Sequence, residues 1–254
     1  MSSVLRHLDD LKAVTPIYPS AGIGTMSRGL RASLYQHERR FQRDSTLKME
    51  GDTSNTVFCL FDGWLALSKS LESGQTQIVD FLLPGDILNP TSAAGTSSAV
   101  TIEAYTNGSL AAVPFARWDK LVTEFPELNR IMRNIGAARS ARRSERILRL
   151  GKGTAEMRVA FALMELCIRT GAFTGTPGTK FQIPLTQQQL GDYIGLSSVH
   201  VCRTMRLMVK NGILELRDRM DITVQDPKTL AKLAGVDHEK LKREILPCES
   251  WIGP

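Results

Sequence analysis

The sequence predicts an α+β fold, in which a β-rich first part, one long helix and a helix-turn-helix unit follow one another along 254 residues. Three observations predict it. Short apolar stretches between Gly, Asp and Pro turns run from residue 40 to 114, as in a jelly-roll-like β-roll. Residues 126–150 contain no Pro after the first position and a single Gly, as a continuous helix requires. Residues 181–224 then carry two short capped helical patterns and a hairpin pattern.

Composition and charge restrict the function classes. Apolar residues make up 42% of the chain and charged residues 23%, which are globular values. No apolar run is long enough to span a bilayer and the N-terminus lacks a signal-peptide core, so we expect a cytoplasmic protein without a membrane partner. The net charge of +6 divides into −2 over residues 1–125, +5 over 126–150 and +3 over 151–224. Positive charge in the second half would attract a polyanion such as double-stranded DNA.

Neither a metal site nor a catalytic motif is apparent. The four cysteines form no Cys-x-x-Cys pair and no zinc-binding spacing, so we expect no metal and no cofactor. The chain contains no nucleophile elbow, no P-loop and no dinucleotide-binding glycine pattern, and its four histidines are scattered. An enzyme is therefore not expected. The cysteines are Cys59, Cys167, Cys202 and Cys248.

The first part is predicted to contain six strands separated by turn residues. A short helix lined by Val4, Leu5, Leu8 and Leu11 is expected before them, and residues 1–35 are otherwise assigned no function. The predicted strands cover residues 40–49, 56–61, 64–71, 76–83, 100–104 and 110–113.

The long helix predicted from Pro126 carries two alternative apolar stripes. One begins with Leu128, Ile131 and Ile135 and can extend to Ala138. A second, at a period close to 3.5 residues, consists of Ala137, Ala141, Ser144 and Leu148. Small side chains at this period are typical of a close helix–helix seam and predict a homodimer. A single amphipathic helix packed on its own β-roll is the alternative. The residues assigned to dimerisation are Leu128, Ile131, Ile135, Ala138, Ala141 and Leu148.

Seven arginines also lie on this helix, and we expect them to face solvent or the acidic β-roll. A break at residues 151–153, Gly-Lys-Gly, should separate this helix from the next, for which Thr154 is the predicted N-cap. The arginines are Arg130, Arg133, Arg139, Arg142, Arg143, Arg146 and Arg149.

The helix-turn-helix prediction rests on caps and a turn. Thr186 and Gln189 have the spacing of a capping box, Gly195 interrupts the helical pattern, and Ser197 can cap a second helix. In that helix apolar residues fall on one face and basic residues on the others, which suits a helix that lies in the major groove of DNA. Periodicity alone leaves an ordinary helical hairpin open. The apolar face consists of Val201, Met205 and Met208.

Residues 213–224 alternate at period two around a polar turn, which adds a hairpin and makes the unit a winged helix. Here residues 152–224 resemble the DNA-binding domain of the Crp/Fnr family of bacterial transcription regulators. The resemblance is closest to a subgroup with the recognition helix Leu-Ser-x-Val-His-Val-x-Arg, which reads Leu-Ser-Ser-Val-His-Val-Cys-Arg at residues 196–203. It implies a homodimer that binds a symmetric operator and has RNA polymerase as a partner. A ligand-binding module whose winged helix contacts protein is the competing function.

The resemblance also assigns roles within the second helix. Arg203 takes the place of the family's base-reading arginine, which suits pairing to guanine O6 and N7. Val199 replaces a Glu that many members direct at cytosine, although it could instead be a core residue. Arg206 and Lys210 are expected at phosphates. The predicted DNA-binding residues are Thr186, Gln187, Ser197, Ser198, Val199, His200, Arg203, Arg206 and Lys210.

The β-roll resembles the cyclic-nucleotide-binding fold of the same family through Gly63 and the Pro84-Gly85-Asp86 turn. Its ligand residues are absent: positions of a ribose-binding Gly-Glu and a phosphate-binding Arg-Ser hold Asn-Pro at 89–90 and Ser-Ala at 98–99. An unpaired buried phosphate is poorly compensated, so we expect an effector other than cyclic AMP, or none.

Iron–sulfur sensors of the family use an N-terminal cysteine cluster, whereas the first cysteine here is Cys59. The expected organisation is a β-roll over residues 1–125, a dimerisation helix over 126–150, a winged helix over 151–235 and a tail over 236–254.

Overall fold

The β-rich part folds into two antiparallel sheets of four strands each. The computed structural model describes residues 26–217 and 220–247. The strand orders are β1-β8-β3-β6 and β2-β7-β4-β5, and apolar side chains such as Leu60, Leu67 and Leu110 fill the space between the sheets. The predicted β-roll is thus confirmed. Its strands are β1 (Glu38–Phe41), β2 (Thr46–Lys48), β3 (Thr56–Asp62), β4 (Leu65–Ser70), β5 (Thr76–Leu82), β6 (Ile87–Leu88), β7 (Thr101–Ala104) and β8 (Gly108–Pro114).

The single strand predicted over residues 40–49 is wrong, because the chain forms β1 and β2 on different sheets. A tight turn lies between them, in which the Ser45 amide and hydroxyl both donate to the Gln42 carbonyl, at 3.3 and 2.6 Å. Asp44 adopts the left-handed conformation there, with φ of 63°. Asp and Ser tolerate such turns, so the break has a local cause that the apolar pattern did not reveal.

Two helices of the first part were not predicted and pack against the start of the long helix. They are α1 (Arg28–Tyr35) and α2 (Phe115–Glu124), followed by α3 (Glu127–Lys152). Leu30 of α1, Trp118 of α2 and Leu128 of α3 lie in one buried cluster on the outer face of the β1-β8-β3-β6 sheet. The short helix predicted at residues 4–11 lies outside the described residues.

The long helix extends further than predicted and ends at Lys152. Of the predicted break at residues 151–153, only Gly153 leaves the helical conformation, with φ −81° and ψ 147°. Thr154 then caps α4 (Ala155–Arg169) by accepting a hydrogen bond from the Met157 amide, as predicted. The long helix and the next helix are therefore joined through two extended residues, Gly153 and Thr154.

Three arginines of α3, Arg139, Arg142 and Arg146, face the β-roll, which is one of the two surroundings expected from the sequence. Arg142, Arg146 and Arg149 are 2–5% exposed, and Arg139 has a side chain that is 12% exposed. The cause is the buried carboxylate of Asp80 on β5, which lies 3.6–3.8 Å from the guanidinium groups of Arg139, Arg142 and Arg146. Arg133 and Arg143 are exposed, as expected.

The C-terminal part forms a helical unit on a three-stranded sheet, ordered β10-β11-β9. A helix over residues 227–234 follows the sheet, and the predicted tail contains a further helix whose Leu241 and Ile245 are buried. The hairpin turn residues Asp218 and Arg219 lie outside the described residues. The elements are β9 (Thr179–Gln182), α5 (Gln187–Ile194), α6 (Ser198–Lys210), β10 (Leu214–Arg217), β11 (Asp221–Val224), α7 (Pro227–Ala234) and α8 (His238–Ile245).

Candidate DNA-binding surface

The two helices of the helix-turn-helix begin at side-chain caps. The Thr186 hydroxyl accepts from the Gln189 amide at 3.1 Å, and the Gln189 side chain accepts from the Thr186 amide at 2.8 Å, which completes the predicted capping box of α5. Ser197 caps α6 by accepting from the His200 amide at 3.4 Å. These caps satisfy backbone donors that would otherwise lack a partner, so the start of each helix is fixed by the local sequence.

Glycines make the tight turn between these helices possible. Gly195 ends α5 in the left-handed conformation, with φ of 66°. Gly191 lies one turn earlier, where a Cβ atom would be 2.3 Å from the Leu196 carbonyl oxygen. No side chain can occupy that space, so the approach of the turn to α5 requires glycine at position 191.

The recognition helix α6 presents one apolar face to the core and leaves the rest in solvent. Val201, Met205 and Met208 are buried, as predicted. Val199 is 65% exposed, so its interpretation as a core residue is wrong. The remaining predicted contact residues divide by exposure: Thr186, Ser197, His200, Arg203, Arg206 and Lys210 are exposed, and Gln187 and Ser198 are half-buried.

An open groove of about 470 Å³ runs along this exposed face. It brings together Gln187 at the start of α5 with residues from two turns of α6. Cys202 lines the groove and was not among the predicted contacts, although its place one turn after Ser198 and one before Arg206 could have identified it. The groove is lined by Gln187, Ser198, Val199, Cys202, Arg203 and Arg206.

The positive charges on α6 are not neutralised by neighbours. Within the described residues, Arg203, Arg206 and Lys210 form no ion pair with a carboxylate. By contrast, Arg217 on β10 pairs with Glu215 at 2.9 Å and holds the pKa of that carboxyl below its usual value. The unpaired cations of α6 are available to phosphates or to base edges in the major groove.

The residues predicted for dimerisation fall on two different faces of α3. Leu128, Ile131, Ile135 and Ala138 are at most 3% exposed, and the first three belong to the chain's own buried cluster with α1 and α2. They are therefore not available to a partner. Leu148 is 56% exposed and Ala141 is half-buried. The second stripe is more open than the first: its members Ala137, Ser144 and Leu148 are exposed, and so are the neighbouring residues Gly136, Ser140, Arg143 and Ile147.

The loop over residues 89–100 closes on itself through hydrogen bonds between its own residues. The Ser92 amide donates to the Ser97 carbonyl at 2.7 Å, and the buried Ser98 hydroxyl donates to the Val100 carbonyl at 2.6 Å. Lys69 reaches the loop, where it donates to the Ala99 carbonyl at 3.0 Å. That ammonium is already paired with Glu50 at 2.5 Å, and the bond lowers the pKa of the Glu50 carboxyl.

The described residues contain neither a candidate membrane-spanning helix nor a candidate metal site. Among residues 26–217 and 220–247, no helix combines the length and the apolar character needed to cross a bilayer. Within the same ranges, no three His, Cys, Asp or Glu side chains are grouped so that they could hold a metal ion.

Comparisons with known proteins match both parts of the chain. Residues 38–125 match the family described as cyclic nucleotide-binding domain, and residues 157–233 match the Crp-like helix-turn-helix domain. The transcriptional activator protein FnrA of Stutzerimonas stutzeri is 29% identical over 197 residues, covering 78% of this chain and 80% of that protein. The nitrogen fixation regulation protein FixK of Rhizobium meliloti is 27% identical over 186 residues, covering 73% and 82%. The structure of FixK2 from Bradyrhizobium japonicum matches with a TM-score of 0.68 and 26% identity, over 77% of this chain and 96% of that one.

Proposed function

Because the chain belongs to the Crp/Fnr family of DNA-binding transcription regulators, we propose that it binds a two-fold symmetric operator as a homodimer and reads base edges with α6. The exposed face of α6 carries this proposal. Three residues anchor the helix in the core, while Arg203, Arg206 and Lys210 remain exposed and unpaired within the described residues. A basic helix with one anchored face and a free polar face fits the major groove.

The second stripe of α3 supports the homodimer. Small residues on this stripe permit two helices to approach closely, and Ile147 and Leu148, 67% and 56% exposed, supply apolar area that is otherwise in water. A two-fold axis along α3 would place two α6 helices on one side of the dimer. Their half-sites would then lie one helical turn apart on DNA, about 34 Å.

Arg203 is proposed to read a guanine in each half-site, with His200, Ser198 and Val199 at neighbouring bases. The Ser197 hydroxyl lies 2.9 Å from Nδ1 of His200, which holds the imidazole at the start of α6. Val199 has no hydrogen-bonding atom in its side chain, so it is suited to contact a thymine methyl group. Thr186, Gln187, Ser197, Arg206 and Lys210 are proposed to contact the backbone of the duplex.

The β-roll is proposed to sense an effector other than cyclic AMP, or none. The support is the loop over residues 89–100, which contains no Lys, Arg, Asp or Glu and whose polar groups bond to one another. Relatives named as transcriptional activators suggest that this chain also acts on RNA polymerase at a promoter. We propose that it does so in the cytoplasm and without catalysing a reaction.

Selection of bound sequences from random duplex DNA tests the proposal. The expected result is an enriched inverted repeat whose affinity falls steeply with salt, since phosphate contacts release counterions. The selection is run with and without cell extract, which supplies an effector if one is needed. Failure to enrich any sequence in both arms would overturn DNA reading, and capture of a protein by the winged helix instead would favour the competing function.

A further inference from the structure

Four arginines from two helices converge on one buried carboxylate. Asp80 of β5 is fully buried. Arg139, Arg142 and Arg146 of α3 approach it at 3.6, 3.6 and 3.8 Å, and Arg169 of α4 approaches at 3.3 Å. Helix α3 follows the β-roll, and α4 is the first helix of the C-terminal part that contains the helix-turn-helix, hereafter the DNA-binding part. Asp80 therefore lies where the β-roll, α3 and the DNA-binding part meet.

Arg169 is the member of this cluster that belongs to the DNA-binding part and reaches the β-roll directly. Its guanidinium donates to the Phe81 carbonyl at 2.6 Å and pairs with Asp86 at 3.3 Å, both on the β-roll side. It also pairs with Glu165 of its own helix at 3.4 Å, and Glu165 accepts from the Tyr193 hydroxyl of α5 at 2.9 and 3.0 Å. A continuous chain of polar contacts therefore runs from β5 to the first helix of the helix-turn-helix.

A second set of contacts holds the C-terminal end of α5 on β5. The Gln77 side-chain amide donates to the carbonyl oxygens of Asp192 and Tyr193, the latter at 3.2 Å. The ring centroids of Phe81 and Tyr193 lie 4.7 Å apart, and the Arg146 guanidinium lies over the Tyr193 ring, 4.1 Å from its centroid. These carbonyls belong to the last turn of a helix, where donors are otherwise lacking.

Two arginines of the long helix α3 also contact the DNA-binding part, at the ends of α7 and α8. Arg149 donates to the Ala234 carbonyl at the end of α7, and Arg142 donates to the Ile245 carbonyl at the end of α8, both at 3.0 Å. Arg149 also lies over the ring of Phe161 of α4, 3.9 Å from its centroid. Polar contacts thus reach the DNA-binding part from both β5 and α3.

This interface fixes an orientation and leaves the DNA-facing surface free. Hydrogen bonds and ion pairs are directional, whereas apolar burial alone permits sliding. The docked end of α5 is its C-terminus. The start of α5 and the exposed face of α6, with Thr186, Val199 and Arg203, remain open. Docking is therefore compatible with DNA binding.

We propose that Asp80, acting through Arg169, and Gln77 are positioning residues that set the orientation of the helix-turn-helix relative to α3. This inference rests on the proposed homodimer. In such a dimer α3 lies at the two-fold axis, so the docked orientation sets the distance between the two α6 helices. The second half-site then adds affinity only in the docked state, and the gain falls with the fraction of molecules that are docked.

Arg169→Met and Gln77→Leu test this, with Arg139→Met as the matched control. Arg139 belongs to the same cluster and donates to the Ile87 carbonyl at 2.9 Å, but within the described residues it contacts only the β-roll side. Fluorescence anisotropy measures Kd for a single half-site and for the full operator. If a tenth of the molecules stay docked, the gain from the second half-site falls about tenfold in the first two variants. Affinity for the single half-site should stay unchanged, and the control should retain the full gain. Operators with one or two extra central base pairs should be penalised less by the two variants than by the wild type.

If the residues had a merely structural role, the variants would contain less active protein, and their apparent affinities for the single half-site and for the full operator would fall equally. That result would overturn the proposal. It would also be overturned if the affinity gained from the second half-site were the same in the variants as in the wild type. If the wild type itself gains nothing from a second half-site, the proposed dimeric function fails instead. Small-angle X-ray scattering of the full chain then decides the positioning role. A larger radius of gyration for both variants than for the control supports it, and equal radii overturn it.

Discussion

Arg169 Nη1 lies 3.3 Å from Asp80 Oδ1, and both side chains are almost entirely withdrawn from water. Burial by itself would raise the pKa of the Asp80 carboxyl. The positive charges of Arg142, Arg169, Arg146 and Arg139 outweigh that effect and hold the pKa well below its usual value. Asp80 is therefore ionised at every pH at which the protein is expected to work.

The pH dependence of stability should reveal this carboxylate. Asp80→Asn leaves buried guanidinium groups without their countercharge and should lower the free energy of unfolding by roughly 3–5 kcal/mol at pH 7. A depressed folded pKa stabilises the fold above the unfolded value, near 3.9, and that contribution is lost as pH falls through the folded pKa. Urea unfolding should therefore show a constant difference between wild type and variant from pH 7 to about 5, and a shrinking one only below about 4.

Asp44→Asn is the control for that titration, since Asp44 has a side chain that is 78% exposed and, within the described residues, forms an ion pair only with the exposed Arg43. Its stability should match the wild type throughout, because exposed ion pairs contribute little. If the difference in the free energy of unfolding between the wild type and Asp80→Asn already decreased between pH 7 and 5, the depressed pKa of Asp80 would be contradicted.

Leu148→Glu should convert the proposed dimer into a monomer. Leu148 is 56% exposed on the second stripe of α3. At a two-fold seam the new carboxylate would face its symmetry mate, or lie unpaired in an apolar contact, and both are unfavourable. Light scattering measures the mass. Leu71→Glu is the control, since Leu71 is 66% exposed on the turn after β4 and should leave the mass unchanged. An intact dimer in the Leu148 variant would refute this seam.

Two Gly→Ala substitutions should change stability in opposite directions. At Gly191 the added methyl group would lie 2.3 Å from the Leu196 carbonyl oxygen, so Gly191→Ala should cost roughly 1–3 kcal/mol. Gly151 lies in the last turn of α3, and the methyl group of an alanine there would have no neighbouring atom within 4 Å, so Gly151→Ala should add about 0.5–1 kcal/mol. Urea denaturation measures both. Equal stability of the Gly191 variant and the wild type would mean that the turn can open without cost.

Cyclic AMP should not bind at effector concentrations. The loop over residues 89–100 offers neither a carboxylate for the ribose nor a cation for the phosphate, and Lys69 beside it is already paired with Glu50. Calorimetry at millimolar nucleotide should detect no saturable heat, with a known cyclic-AMP-binding regulator as the positive control. Micromolar binding that also tightens DNA affinity would overturn this expectation.

Local chemistry explains which elements could be predicted from the sequence. The caps Thr186 and Ser197 and the turn at Gly195 act within a few residues, so their signal is contained in the residues themselves. Asp80 is different. It lies in a strand pattern next to Phe81, and only the fold brings it to α3 and α4, so no local pattern distinguishes it from a solvent-facing strand residue.

The two apolar stripes of α3 also show that a local sequence pattern does not reveal which part of the fold a residue contacts. Leu128, Ile131 and Ile135 satisfy a helical apolar period because they cover the chain's own β-roll, whereas Leu148 of the second stripe stays 56% exposed among the described residues. The periodicity of apolar residues shows that one face of a helix is apolar, but it does not identify the neighbour that covers this face. The residues predicted for dimerisation therefore included buried ones, and only the fold distinguishes them from the second stripe, whose Leu148 is exposed.

Substitutions on α6 should separate base reading from phosphate contact. Arg203 lines the groove from the second turn of α6, whereas Lys210 is the last residue of the helix and lies outside the groove lining. Arg203→Ala should cost roughly 1–3 kcal/mol per half-site and relax one symmetric base position, because the variant cannot form a bidentate pair with guanine. Lys210→Ala should weaken all sequences alike and reduce the salt slope by about one unit for each phosphate that is no longer neutralised. Anisotropy across single-base operator variants at two salt concentrations measures both effects. A uniform decrease in affinity for Arg203→Ala, with base preferences intact, would identify Arg203 as a backbone contact, and the reading of the operator would then have to depend on His200, Ser198 and Val199.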